Sequence, residues 1–474
     1  MLLKDLISDI NNEFANIQIA GITSDSREIK EGYAFVCIKG VTDDGHKYAQ
    51  SATAKGAAVV ITERQMGVDN EIVVSDTREL YADMCAKWFG NPADSLKLIG
   101  VTGTNGKTSI TYMLKSILEN AGYSVGLIGT IQNMIGDEVI PTKNTTPGVY
   151  ELNRLFALMK QKGCQYAVME VSSHALDQKR VCNLVFEAAV FTNLTQDHLD
   201  YHITMENYLA AKKRLFSMCK TAIVNSDDEY CEPLIDGLDC KVVSYSLNDN
   251  STYSAKAVQY YPTRVEYELV SNDILNHIKF NTGGKFSVYN SMCAAVTALE
   301  LGLPIQKVSD AIELISGIKG RAESVPTGRD FTVIIDYAHT PDGLKNILKT
   351  FADCEKNRVI VLFGCGGDRD KTKRPIMGCI AVRYADHVIV TSDNPRSENP
   401  DDIIKDILVG TDGSQTPVEV ITNRVEAIKY AISIAQAGDI IVLAGKGHET
   451  YQVLNTGTIH LDEREIVREA LDKL

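Results

Sequence analysis

Seven residues, Thr102-Gly103-Thr104-Asn105-Gly106-Lys107-Thr108, directly follow the apolar run Leu98-Ile99-Gly100-Val101. The pattern reads as a strand, a glycine-rich turn and the start of a helix. Such a turn directs backbone N–H groups inward at a helix N-terminus, where the dipole favours anions. Lys107 adds a positive charge for β/γ phosphates, and Thr108 offers a hydroxyl to Mg²⁺. Five residues separate Gly100 from Gly106, and Gly103 lies inside the turn, so this is a variant of the usual phosphate loop. The chemistry that fits is binding of a nucleoside triphosphate. A second set of reactive residues lies further on, in Asp336-Tyr337-Ala338-His339, Gly364-Cys365-Gly366-Gly367-Asp368-Arg369, Asp393-Asn394-Pro395-Arg396 and Gly445-Lys446-Gly447-His448-Glu449.

These residues need rigid elements behind them. Residues 1 to about 97 carry short β-like runs, Tyr33–Ile38 and Ala57–Ile61, and a helix that ends near Trp88-Phe89-Gly90-Asn91-Pro92, because Gly and Pro terminate helices. From Leu98 the rhythm alternates. A helix over 107–121 precedes a strand from Ser124 to Ile128, a helix within 148–162, and strands Tyr166–Val171 and Ala188–Phe191. This predicts a mostly parallel sheet covered by helices. The stretch 240–285 alternates in the manner of antiparallel hairpins attached to the same domain. After Arg321, strands at 332–336, 359–363, 387–391 and 439–443 with helices between them predict a second doubly wound α/β region. All four polar loops of the second set follow these strands, where ligands bind in such sheets.

Bulk properties bound the answer. A length of 474 residues suggests three domains at about 150 residues each. The net charge of -14 argues against a general role on nucleic acid or anionic membranes. The segment Met1–Asp5 lacks the features of a signal peptide, and no apolar run is long enough to span a bilayer. The 11 cysteines are scattered without a Cys-x-x-Cys pair, as expected of reduced thiols in a cytoplasmic protein.

The motifs together resemble the Mur ligases, the ATP-dependent amide-forming enzymes of peptidoglycan assembly. The resemblance rests on Thr102–Thr108, Glu170-Val171-Ser172-Ser173-His174, Thr192-Asn193-Leu194-Thr195-Gln196-Asp197-His198 and Asp336-Tyr337-Ala338-His339-Thr340-Pro341, and runs from Asp25-Ser26-Arg27 to the Gly-Lys-Gly-His-Glu stretch. It implies a three-domain α/β architecture with a central P-loop ATPase-like parallel sheet and a C-terminal Rossmann-like domain. The boundaries would be 1–97 for the UDP-substrate domain, 98–322 for the ATP domain and 323–474 for the amino-acid domain. Within the family the chain looks like the members that add the third amino acid to UDP-N-acetylmuramoyl-L-alanyl-D-glutamate. Asp393-Asn394-Pro395-Arg396 matches the pattern associated with meso-diaminopimelate.

The resemblance also implies roles. Lys107, Glu170, His198 and Lys212 would be catalytic, with Thr108, Glu170, His198 and a CO₂-derived carbamate of Lys212 around Mg²⁺. ATP would meet Gly103, Thr104, Asn105, Gly106, Lys107, Thr108, Ser109, Asn290, Arg321, Asp336 and His339. The muramyl-dipeptide would meet Ser26, Asn144, Thr145, Thr146, Ser172, Gln178 and Arg180. Diaminopimelate would meet Arg369, Asp393, Asn394, Pro395, Arg396, Gly445 and Glu449. Taken alone, several of these are ordinary. His198 reads as a turn residue, Lys212 as part of a solvated basic helix face, and Arg321 as a surface partner of Glu323. Two departures stand out: Ser287 where many relatives have Asn, and Val41-Thr42-Asp43 where some have His-Gln-Ala at the uracil end. The partners expected are small-molecule substrates only, for a monomer. The alternatives are a lysine-adding Mur ligase, a relative such as folylpolyglutamate synthetase, or a non-catalytic ATP-binding scaffold.

Overall fold

The computed structural model describes all residues except Asp9, Val41, Thr42, Asp249, Asn250 and residues 352–355. The departure at Val41-Thr42 therefore lies outside the described residues. The chain forms two compact units. The first comprises Met1–Thr111, Leu118–Val224 and Asp228–Val243, and the second comprises Tyr112–Ile117, Asn225–Asp227 and Ser244–Leu474.

The first unit opens with four parallel strands in sequence order, β1 (Gly21–Thr23), β2 (Tyr33–Val36), β3 (Val59–Thr62) and β4 (Glu71–Val73). Its second sheet is built on β5 (Lys97–Thr102), β6 (Val125–Ile128), β7 (Asn133–Ile135), β8 (Glu138–Ile140), β9 (Tyr166–Glu170), β10 (Phe186–Phe191) and β11 (Cys219–Asn225). The order is β11-β10-β5-β9-β6-β7-β8, parallel through β6 and antiparallel in the closing hairpin. β5 is therefore central, and β9 and β10 flank it in register, Val101 beside Glu170 on one side and Val190 on the other. This brings the loops after β5, β9 and β10 to one edge. Burial on both faces explains the near-continuous apolar runs of β9 and β10.

β12 (Lys241–Ser246) ends in the second unit, where it meets β13 (Tyr253–Tyr260) in parallel, over Tyr245↔Tyr253 and Ser246↔Ser254. β14 (Val265–Val270) and β15 (Leu275–Phe280) then continue antiparallel. The expectation of hairpins over 240–285 thus holds from β13 onward only. Asp227 fixes the turn after β12 by accepting from the Ser246 hydroxyl, the Leu247 N–H and the Asn248 amide. The helix Lys285–Glu300 covers these strands and is buried along most of its length.

The same unit contains β16 (Glu323–Val325), β17 (Thr332–Asp336), β18 (Val359–Phe363), β19 (His387–Val390), β20 (Val418–Val420) and β21 (Ile440–Ala444). Their order is β16-β17-β21-β18-β19-β20, parallel except for β16. Alternate side chains bury on opposite faces. Val359, Val361 and Phe363 join one core, and Ile360 and Leu362 the other. The hairpin β22 (Tyr451–Leu454) and β23 (Gly457–His460) follows. A buried pair, Arg424 with Glu463 at 2.8 Å, anchors the end of β21, because Arg424 also donates to the Ala444 carbonyl. Among the described residues no helix is long and apolar enough to cross a membrane.

Candidate active site

The turn after β5 needs its glycines. Gly103 has φ +144°, and a Cβ there would lie 1.8 Å from the Thr192 hydroxyl oxygen. The turn is clamped by residues after β10. Thr104 N–H donates to the Asn193 carbonyl, Asn105 N–H to the Asn193 side chain, and the Thr192 hydroxyl to the Asn105 carbonyl. Lys107 Nζ folds over the turn to the carbonyls of Gly103 and Thr104, at 3.0 and 2.8 Å. Thr108 and Ser109 begin the helix and are buried.

Glu170 ends β9 and is 1% exposed. Its carboxylate accepts from the Thr108 hydroxyl at 3.1 Å, the Thr130 N–H at 2.8 Å and the Thr130 hydroxyl at 3.0 Å. The strand order thus joins the glycine turn to the predicted carboxylate. Thr130 was missed by sequence reasoning, although a polar residue two positions beyond an apolar strand was the available signal.

Lys212 is buried, unlike its neighbour Lys213, which reaches the carbonyls of Pro233 and Asp236 from the surface. Lys212 Nζ donates to the Gly103 carbonyl at 2.7 Å and lies 4.4 Å from the centre of the Tyr208 ring. Burial, with Lys107 close by, holds its amine well below the ordinary lysine value. A neutral amine is the nucleophilic form of lysine. His198 is half-exposed, in a left-handed backbone conformation (φ 54°), and its ring meets those of His174 and Tyr208 edge to face. Burial lowers the His198 pKa, which favours the neutral, ligating imidazole. Among the described residues no three His, Cys, Asp or Glu side chains group as a ready metal site. The hard donors that meet directly are Thr108 and Glu170.

A hydrogen-bonded network joins most of the predicted muramyl-substrate residues. The Thr145 and Thr130 hydroxyls are 3.0 Å apart, Thr146 donates to the Glu170 carbonyl and accepts from Ser172 N–H, and Ser172 caps its helix through Ala175 N–H. Arg180 donates to the Thr146 carbonyl and twice to Gln178 Oε1. Asn144 is exposed beside this network. Ser26 lies in the β1–β2 loop, where its carbonyl accepts from Lys55 at 2.6 Å.

In the second unit, Asp336 ends β17 and accepts from the N–H groups of Ala322 and Ala338, at 2.7 and 2.8 Å. The adjacent Tyr337 ring gathers three side chains. The Arg321 guanidinium lies 4.8 Å from its centre, and the rings of His339 and His448 lie at 4.7 and 4.9 Å. Glu323 pairs with Arg464 and accepts from Gly320 N–H. Asn290 is buried in the helix Lys285–Glu300, and Ser287 bonds the Gly283 carbonyl.

Side chains and carbonyls from the loops after β18, β19 and β21 meet one another. Asn394 Nδ2 donates to Glu449 Oε2 at 3.0 Å, and Asp393 accepts from Asn394 N–H. Arg396 (φ 54°) reaches the Gly367 carbonyl at 2.7 Å. A Cβ on Gly367 would lie 1.9 Å from the Pro395 carbonyl oxygen, so the glycine pair admits the Pro395-Arg396 turn. Gly445 (φ +113°) makes similar room for the Asp393 carboxylate. Arg369 is exposed and bonds the Asp368 carbonyl. Lys446, missed as a site residue, is completely buried between Asn394 and Glu449.

Burial, with Arg321, Lys319 and Arg464 nearby, pushes the His448 imidazole down to about 4. The unfolded imidazole protonates near 6.5, so it binds more protons than the folded one between these values. The contribution of His448 to stability is therefore complete above pH ~6.5 and is lost as pH falls toward ~4. Urea unfolding of wild type and His448→Gln should show their stability difference moving against wild type across that window. A pH-independent difference would be inconsistent with a neutral His448.

A glycine turn between a parallel strand and a helix, backed by a buried carboxylate, defines the class of nucleotide-binding α/β proteins. Three family models match the chain: "Mur ligase family, catalytic domain" over residues 18–86, "Mur ligase middle domain" over 101–298, and "Mur ligase, glutamate ligase domain" over 320–447. The UDP-N-acetylmuramoyl-L-alanyl-D-glutamate–2,6-diaminopimelate ligase of Caldanaerobacter subterraneus subsp. tengcongensis is 48% identical, over 99% of each chain. That of Clostridium acetobutylicum is 46% identical over the whole of both. A solved structure of a ligase of the same name has a TM-score of 0.76 at 34% identity, covering 100% of this chain and 99% of the other. The chain belongs to the Mur ligase family.

Proposed function

We propose that the protein is an ATP-dependent ligase that joins meso-diaminopimelate to UDP-N-acetylmuramoyl-L-alanyl-D-glutamate through an acyl phosphate, in peptidoglycan precursor synthesis. The observation that carries the choice of amino acid is the convergence of Asn394, Arg396 and Glu449 at the strand ends of one sheet. The distal end of diaminopimelate bears a carboxylate and an ammonium. Arg396 and Arg369 suit the carboxylate, since guanidinium grips it with two parallel donors. Glu449 and the Gly445 carbonyl suit the ammonium, and Asn394 and Asp393 with Pro395 shape the turn between them.

The chain's residues divide the reaction as follows. The N–H groups of residues 103–109 and the Lys107 ammonium hold the ATP phosphates, and Arg180 holds an anionic part of the muramyl-dipeptide. The dipeptide carboxylate then attacks the γ-phosphorus, ADP leaves, and the amine of diaminopimelate displaces phosphate from the acyl phosphate. Positioning and fixed charge account for both steps. Thr108, Glu170, His198 and a carbamate on Lys212 fit Mg²⁺ as oxygen and imidazole donors. When bound, Mg²⁺ supplies neutralisation of phosphate charge. The Lys212 amine takes up CO₂ with loss of a proton, replacing an ammonium that cannot ligate a cation by an anionic oxygen donor. Asn290, Arg321, Asp336 and His339 serve the nucleotide, and Ser26, Asn144, Thr145, Thr146, Ser172 and Gln178 the muramyl substrate.

We place the corresponding domains at 1–97, 98–322 and 323–474, in a cytoplasmic monomer. Phosphate release by the purified protein tests the reading. It should require ATP, Mg²⁺, the UDP-muramoyl-dipeptide and diaminopimelate together. Binding of ATP without turnover for any amine would favour a scaffold instead.

A further inference from the structure

Lys446 is completely buried, yet it is a lysine in a loop. Burying an ammonium is costly unless it is paired and hydrogen-bonded. Its Nζ donates to Asn394 Oδ1 at 2.6 Å and to Glu449 Oε2 at 2.9 Å. Asn394 Oδ1 also accepts from Val453 N–H at 2.9 Å. With two donors on its oxygen, the Asn394 amide has one orientation, and its NH₂ faces Glu449 Oε2 at 3.0 Å. Glu449 Oε2 is thus saturated by Lys446 and Asn394, and Oε1 is the oxygen left to meet a ligand.

We infer that Lys446 is a positioning and specificity-determining residue of the amino-acid pocket. It locks Asn394 and Glu449 in one arrangement and adds one positive charge beneath them. Among Arg369, Arg396, Lys446, Asp393 and Glu449, that charge shifts the pocket from neutral to net positive. A net positive pocket disfavours a ligand whose distal end is only an ammonium, such as lysine, and tolerates one that also carries a carboxylate. This inference rests on the diaminopimelate reading above.

The test is steady-state kinetics of Lys446→Met, which keeps the apolar stem and removes the charge. The KM for diaminopimelate should rise about tenfold or more, as expected when a charged hydrogen-bond partner is lost. The kcat and the KM for ATP should stay near wild type. The preference for diaminopimelate over lysine in kcat/KM should fall by about tenfold, reflecting the lost charge. In an Asn394→Ala background the same change should cost clearly less, because one of its two targets is gone. If Lys446→Met does not fold, Lys446→Gln removes the charge, keeps one donor and should show the same changes at smaller size. Unchanged diaminopimelate KM and selectivity in a folded variant would overturn the inference. So would an equal rise in all three substrate KM values, the mark of a merely structural residue. Wild type that releases no phosphate with diaminopimelate would instead refute the underlying reading.

Discussion

Lys212→Ala should lower kcat by roughly 10²–10³-fold, the cost typical of removing one preorganised charge stabiliser from a transition state. The magnitude follows from where the residue sits. Lys212 is buried, touches the carbonyl of Gly103 in the glycine turn, and has its amine held in the neutral direction by burial and Lys107. Lys212→Arg should fail equally, because a guanidinium stays protonated and does not form a stable carbamate. Lys213→Ala should remain active, since Lys213 bonds surface carbonyls outside the turn. A ¹³C NMR signal from labelled bicarbonate should appear in wild type and vanish in Lys212→Ala. Full activity in Lys212→Ala would remove Lys212 from the mechanism.

Arg396→Ala should reduce kcat/KM for diaminopimelate by roughly 10–100-fold, since a hydrogen bond to a charged group contributes about 1.5–3 kcal/mol and 1.4 kcal/mol is tenfold. Use of ATP in binding assays should be unaffected. Arg396 is the better held of the two arginines, fixed on Gly367 by its side chain and on Val453 by its backbone N–H. Arg369 lies exposed, so Arg369→Ala should cost less. Unchanged selectivity between diaminopimelate and lysine in Arg396→Ala would displace the pocket from these loops.

Much of this was legible in the residues because parallel sheets impose a simple rhythm. The strands β5, β9, β17, β18 and β21 lie within about a residue of where apolar runs between helices put them. Short strands such as β7, β8 and β20 were not legible, since three residues carry too little pattern. Lys212 shows a signal that composition hides. Tyr208, Ala211, Lys212 and Leu215 share the i, i+3, i+4, i+7 stripe that buries, while Lys213 falls off it. Family resemblance chose Lys212, and helix periodicity gives the physical reason. Lys446 and Thr130 escaped because their importance lies in partners distant in sequence, Asn394 for one and Glu170 for the other. No local spacing encodes such contacts.

The choice of diaminopimelate over lysine for the muramyl-dipeptide is read at the nucleotide product. Mass spectrometry of the nucleotide product, with ATP, Mg²⁺, UDP-N-acetylmuramoyl-L-alanyl-D-glutamate and equal amounts of the two amino acids, measures it directly. The product should carry diaminopimelate almost exclusively and depend on ATP. A product carrying mainly lysine, or ATP bound and no product with either, would contradict it.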